Sequence, residues 1–181
     1  RIISERANMK IPSILIIGNS TAGKSTAATI LAEHFGCGWR GTSKVIMLAL
    51  ATAAQHPLLG TIVSLKYSEK FGDLFRVFLR DVGNRLRKDD PAYLVKECLK
   101  AHPIVEGVRT REEFTHALHL FDLVIWIDRP GTLPNETDEL LLDDADVIIH
   151  NSRGLEELKT GLINVVRGIK NENTKMSKRL R

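Results

Sequence analysis

Residues 16–26 read IIGNSTAGKST. Gly18 is followed, four residues on, by Gly23, Lys24 and Ser25, between an apolar run and a segment of helical composition. That spacing suits wrapping the backbone around an anion. Glycines allow angles and close approaches that a Cβ blocks. Successive N–H groups at a helix N-terminus form a nest for phosphate. Lys24 is long enough to reach the outer phosphates of a nucleotide, and the Ser25 hydroxyl can ligate Mg²⁺. The candidate phosphate-binding residues are Gly18, Asn19, Ser20, Thr21, Ala22, Gly23, Lys24, Ser25 and Thr26. By average residue usage the bare pattern arises by chance in roughly one chain of this length in a few hundred. The strand–loop–helix setting makes chance rarer still.

Further candidates lie where strands are expected to end. Glu106, in IVEGVR, can hold Mg²⁺ through water or orient an acceptor, unless it is an ordinary loop glutamate. Arg109 offers a planar fork to a phosphate, or else pairs with Glu112 or Glu113 on the next helix. Arg129 directly follows an apolar strand. Arg80, Arg85 and Arg87 lie on or just after a helix, where they either neutralise a transferring phosphoryl group or form a solvated face. Arg40, Ser43 and Lys44 sit near the start of the second helix, a position open to an acceptor. Trp39 and Tyr93 either stack on a base or pack at the core boundary. His116 and His119 are three apart but lack a third ligand, so they read as structural. No arrangement for covalent catalysis is evident.

The elements that must position these residues alternate. SILIIG (13–18) reads as a strand buried on both faces, and 24–36 as a helix stopped by Gly36. Helices are expected over 42–55, capped by Thr42 or Ser43 and ended at His56-Pro57, then over 68–88 and 89–102. In 68–88, Phe71, Leu74, Phe75, Phe78, Leu79, Val82 and Leu86 are expected on one stripe. Strands follow at 103–108, 122–128 and 145–151, with helices at 110–121 and 155–169. Such alternation indicates an α/β fold with three layers, a central parallel β-sheet flanked by helices and joined by right-handed crossovers. Residues 9–170 are expected to form a single domain, with a lid-like loop near 129–144. Residues 1–8 read as a non-native or upstream extension, and 171–181 as a basic, frayed tail.

Bulk properties narrow the class. With 181 residues, 43% of them hydrophobic, there is enough chain for one real core, and no apolar run approaches a membrane span. No signal peptide is expected at the N-terminus. The two cysteines, Cys37 and Cys98, have no metal-ligand spacing and read as buried thiols. A net charge of +4 is weak ground for nucleic-acid binding. A guanine-reading Asn-Lys-x-Asp is missing, which disfavours a switch GTPase.

Four stretches in order resemble the deoxynucleoside monophosphate kinases known chiefly from phages, within the P-loop nucleoside monophosphate kinase fold. They are GNSTAGKST, LRDVGNRLRKDDPAYLVKECL, IVEGVRTREEF, and IDRPG through NETDELLLDDADVIIHNSRGLEELKTGL, together covering nearly the whole domain. The resemblance implies ATP-dependent phosphoryl transfer, with Mg²⁺, to a (deoxy)nucleoside 5′-monophosphate. Lys24 and Ser25 would serve ATP and metal, Glu106 and Arg109 the acceptor side. Arg85 would lie in the arginine-bearing helix end and Arg129 in the turn leading to the lid. The chain departs from the pattern at Ser25, where members often have Asp, and at Gly107, which is inserted between the acidic residue and Val-Arg. The implied setting is the cytoplasm, the host's if phage-encoded. A small-molecule nucleotide is the partner, with neither nucleic acid nor membrane. Kinases of this size are often dimers, so a homodimer is one expected assembly. Dephospho-coenzyme A kinase and a nucleotide-gated regulatory NTPase are the alternatives.

Overall fold

Ile14–Ile17 (β1) buries all four of its side chains, the environment of a strand in mid-sheet with both faces covered. In the computed structural model, which describes residues 11–53, 64, 68, 72–134 and 138–179 (side chains at 73 and 169–179 apart), β1 is that strand. It pairs in parallel with Ile104–Glu106 (β3) on one side and Leu123–Asp128 (β4) on the other. Trp39–Gly41 (β2) lies outside β3 and Val147–His150 (β5) outside β4. The order is β2-β3-β1-β4-β5, all parallel.

The helices are Lys24–Phe35 (α1), Thr42–Ala53 (α2), Gly72–Leu86 (α3), Tyr93–Leu99 (α4), Arg111–Ala117 (α5) and Leu155–Arg179 (α6). The period of two along the strands divides the core between them. Ile14, Ile16, Ile104, Ile125 and Ile127 pack with Leu31 of α1 and Leu158 and Leu162 of α6. Leu15, Ile17, Val105, Val124 and Trp126 face the other way, onto Val45, Leu94, Val95 and Phe114 of α2, α4 and α5. This is the expected three-layer α/β arrangement. No helix among the described residues is long and apolar enough to cross a membrane.

Several local expectations change. β2 was not anticipated: three residues with a central arginine carry no periodic signal, and only pairing with β3 makes them a strand. Thr42 opens α2 directly after β2, and its hydroxyl donates to the Gly107 carbonyl at 2.9 Å, joining α2 to the turn after β3. In α3 the expected stripe divides. Leu79 is buried, and Phe75, Val82 and Leu86 pack against the same cluster, a 4-3-4 seam. Leu74 and Phe78 are rotated off that seam and stand 73% and 46% exposed. Asp90 starts α4 later than expected, its carboxylate accepting from the Ala92 amide at 3.1 Å. α6 runs past 169 to Arg179, replacing the frayed tail over that span. Both cysteines are free, with Cys98 buried but Cys37 only half-buried. Residues 1–8, His56-Pro57 and Phe71 lie outside the described residues.

Candidate functional site

The C-terminal ends of β1, β3 and β4 share one edge of the sheet, where open α/β sheets bind ligands. Residues 18–23 leave β1 there and enter α1 at Lys24. Gly18 has φ 139°, and a Cβ on it would lie 2.5 Å from the Ile127 carbonyl oxygen, so no other residue fits without moving β4. Thr21 adopts φ 61°, a left-handed conformation that non-glycine residues hold only when their surroundings enforce it.

Those surroundings engage the loop's carbonyls. Lys24 Nζ donates back to Gly18 O at 2.7 Å and Asn19 O at 2.6 Å. The Thr21 hydroxyl donates to Ser20 O, Arg129 Nη1 to Thr21 O at 3.3 Å, and Asn151 Nδ2 to Ala22 O at 2.9 Å. Ala27 N takes Gly23 O at 2.9 Å. Every carbonyl from Gly18 to Gly23 therefore has a donor. Of the amides from Asn19 to Lys24, Ala22 alone has a backbone acceptor among the described residues, and Gly23 gives α1 no side-chain cap. A loop with engaged carbonyls and uncommitted amides at a helix N-terminus is built to accept an anion.

Glu106 closes β3, in register with Ile16 of β1 and Gly41 of β2. Its carboxylate lies over the Gly41 backbone: a Cβ there would meet Glu106 Oε1 at 2.7 Å. Gly107 then turns the chain with φ 96°, leading to Arg109, which pairs with Asp138 at 3.2 Å. Lys24 lies within electrostatic reach of all three charged groups. Burial pushes its ammonium below the ordinary lysine range, and the Arg109 guanidinium acts in the same direction, against Glu106 and Asp138.

The expected site residues are placed unevenly. Lys24, Glu106 and Arg109 stand at the ends of neighbouring strands within electrostatic reach of one another, and Arg129 bonds the loop at Thr21. Ser25 and Thr26 are exposed in the first turn of α1. Arg40 is half-buried in β2, one residue before Gly41, and Ser43 and Lys44 are half-buried in the first turn of α2. Tyr93 packs at the edge of the core, and Trp39 packs against the opposite cluster with its indole N–H on the Thr29 hydroxyl. Arg80 pairs with its neighbour Asp81 at 3.9 Å, and Arg85 is exposed in the last turn of α3. His116 Nδ1 lies 2.9 Å from the Glu112 carbonyl of its own helix.

Three groups, Asn151, Asp138 and Glu113, were not singled out in the sequence, and Asn19, expected on phosphate, has a second contact. Asn151 supports the loop from β5, and the Asn19 side chain donates to Thr132 O at 3.2 Å, holding the turn after β4 against it. Asp138 reaches Arg109 from a segment read only as polar. Glu113 pairs with Arg87 at 3.3 Å while only 2% exposed, and its Oε1 has no hydrogen-bond partner. Burial pushes its carboxyl up to about 7, outweighing the pull of Arg87. An acidic residue three positions after a capping Thr110 is a common helix start, so nothing in the sequence marked Glu113 for burial.

The residues fit the groups the motif implies. Uncommitted amides and Lys24 suit a polyphosphate. The Ser25 hydroxyl and Glu106 carboxylate suit a magnesium ion, which keeps several of its waters. Among the described residues no three His, Cys, Asp or Glu side chains gather as an all-protein metal cage. No protein-family model and no curated protein matches the chain.

Proposed function

We propose that the protein transfers the γ-phosphoryl group of ATP to a (deoxy)nucleoside 5′-monophosphate. The observation that carries this reading is that the Lys24 loop leaves β1 at the same sheet edge at which the neighbouring parallel strand β3 ends in Glu106 and leads to Arg109, within electrostatic reach of Lys24. A protein that only bound a nucleotide needs the loop and its lysine. A second cation beside Lys24, on a different strand end, suits a second phosphate.

An acceptor phosphate oxygen attacks the γ-phosphorus, the bond to the β-phosphate oxygen breaks, and ADP leaves. The loop amides and Lys24 hold the donor chain, Arg109 holds the acceptor phosphate, and the two cations balance charge spread over the transferring group. Mg²⁺, when bound by Ser25 and Glu106, neutralises phosphate charge. Arg129 supports the strained loop at Thr21. The chemistry is mainly positioning, for which a base is not required.

The test is ADP release with ATP and Mg²⁺ across deoxy- and ribonucleoside monophosphates, with dephospho-coenzyme A in the panel and Lys24→Ala as the blank. Release driven by one or a few monophosphates, and lost in the variant, is expected. Release driven only by dephospho-coenzyme A, or independent of any acceptor, overturns the assignment.

A further inference from the structure

Residues 138–144 are fastened to the segment after β3 by a dense set of bonds. The Glu139 amide donates to the Arg109 carbonyl at 3.0 Å, and the Arg111 amide donates to Glu139 Oε2 at 2.7 Å. The Arg111 guanidinium donates to the Glu139 carbonyl at 3.1 Å and grips both oxygens of Asp144. Asp144 in turn accepts from the Leu141 amide at 2.7 Å, folding the segment on itself. Asp138 is thereby delivered beside Arg109 by its own chain neighbour, which distinguishes this pair from a chance surface contact.

The two side chains differ in exposure. Asp138 is 9% exposed and Arg109 41%. Asp138 holds Nη1 of the guanidinium. A planar fork gripped at one nitrogen still presents donors along its remaining edge. The pairing also answers a problem of the site itself. Lys24 is largely buried, and the Arg109 guanidinium within its electrostatic reach disfavours its charge, against which Glu106 and Asp138 act.

We propose that Asp138 is a positioning residue, holding the Arg109 fork toward the acceptor phosphate. This deepens the kinase reading and rests on it. Arg109 in this arrangement grips its phosphate pre-oriented, so removal of the Asp138 charge weakens the acceptor and leaves the ATP loop intact.

The test compares wild type with Asp138→Asn and Asp138→Glu. For each, equilibrium binding of ATP and of the nucleoside monophosphates is measured by calorimetry, together with acceptor KM, ATP KM, kcat and Tm. In Asp138→Asn, acceptor Kd and KM are expected to rise about tenfold or more while ATP constants change less than about twofold. Asp138→Glu is expected to recover part of the loss. A lower Tm with unchanged acceptor constants makes Asp138 a structural fastening and overturns the proposal. Tighter acceptor binding in Asp138→Asn also overturns it, because the carboxylate then competes with the phosphate. Monophosphate binding that weakens in Asp138→Asn, in a protein that never releases ADP, supports the role of Asp138 and overturns the kinase reading alone. A wild-type protein that binds no monophosphate overturns both.

Discussion

The Asn151 side-chain amide donates to the Ala22 carbonyl at 2.9 Å, so the residue that follows β5 also braces the loop between β1 and α1. The Asn151 backbone is itself fixed, its amide donating to the Asp128 carbonyl at 2.7 Å. Position and donor are therefore both set by the sheet.

Asn151→Ala removes this strut and leaves the Ala22 carbonyl to water. A lost neutral hydrogen bond costs about 1 kcal/mol, or roughly fivefold in affinity. ATP binding measured by calorimetry is expected to weaken by that factor, with acceptor binding unchanged. An unaltered ATP affinity would mean that Lys24 and Arg129 suffice to hold the loop.

Gly41→Ala places a methyl group 2.7 Å from Glu106 Oε1, inside contact distance. Glu106 must then swing away from the β3 edge. The expected result is a fall in kcat of about tenfold or more, with a higher Mg²⁺ requirement. The atom displaced is the tip of a flexible side chain, so urea unfolding is expected to show little change in stability. Unchanged kinetics in a folded variant would remove Glu106 from the metal and acceptor roles.

Glu113 gives a pH signature of definite sign. Its carboxyl is raised from 4.5 to about 7 in the folded protein, so the folded state binds this proton more tightly than the unfolded chain. The associated stability is fully present below pH 4.5 and falls as pH rises toward about 7, by about 3 kcal/mol in total. Glu113→Gln keeps an acceptor for Arg87 and removes the titration. Urea midpoints at pH 5 and pH 8 should therefore show the wild type losing stability relative to Glu113→Gln as pH rises. Parallel behaviour of the two proteins would place the titration elsewhere.

The strands and the loop were legible because their physics is local. A run such as ILII suits burial on both faces, and the glycine spacing before Lys24 marks a tight turn between strand and helix. β2 was not legible, since Trp39, Arg40 and Gly41 become a strand only through their partners in β3. The same holds for Asp138, one acid among several in a polar stretch, selected by a backbone register with Arg109 and Arg111 that no local pattern encodes. The stripe of α3 shows a third limit. Apolar content was evident there, but which apolar residues face inward depends on α3 packing by the seam of Phe75, Leu79, Val82 and Leu86.

The strand order also governs how the chain must assemble. Ile14 pairs with Ile104 and Leu123, residues far along the chain. Contacts of such long separation close slowly, because the intervening loop's entropy is lost before pairing compensates it. During synthesis from the N-terminus, the apolar run of β1 stays without sheet neighbours until β3 and β4 have left the ribosome. The loop at 18–23, which is braced by residues after β4 and β5, thus takes its shape only once those strands are in place.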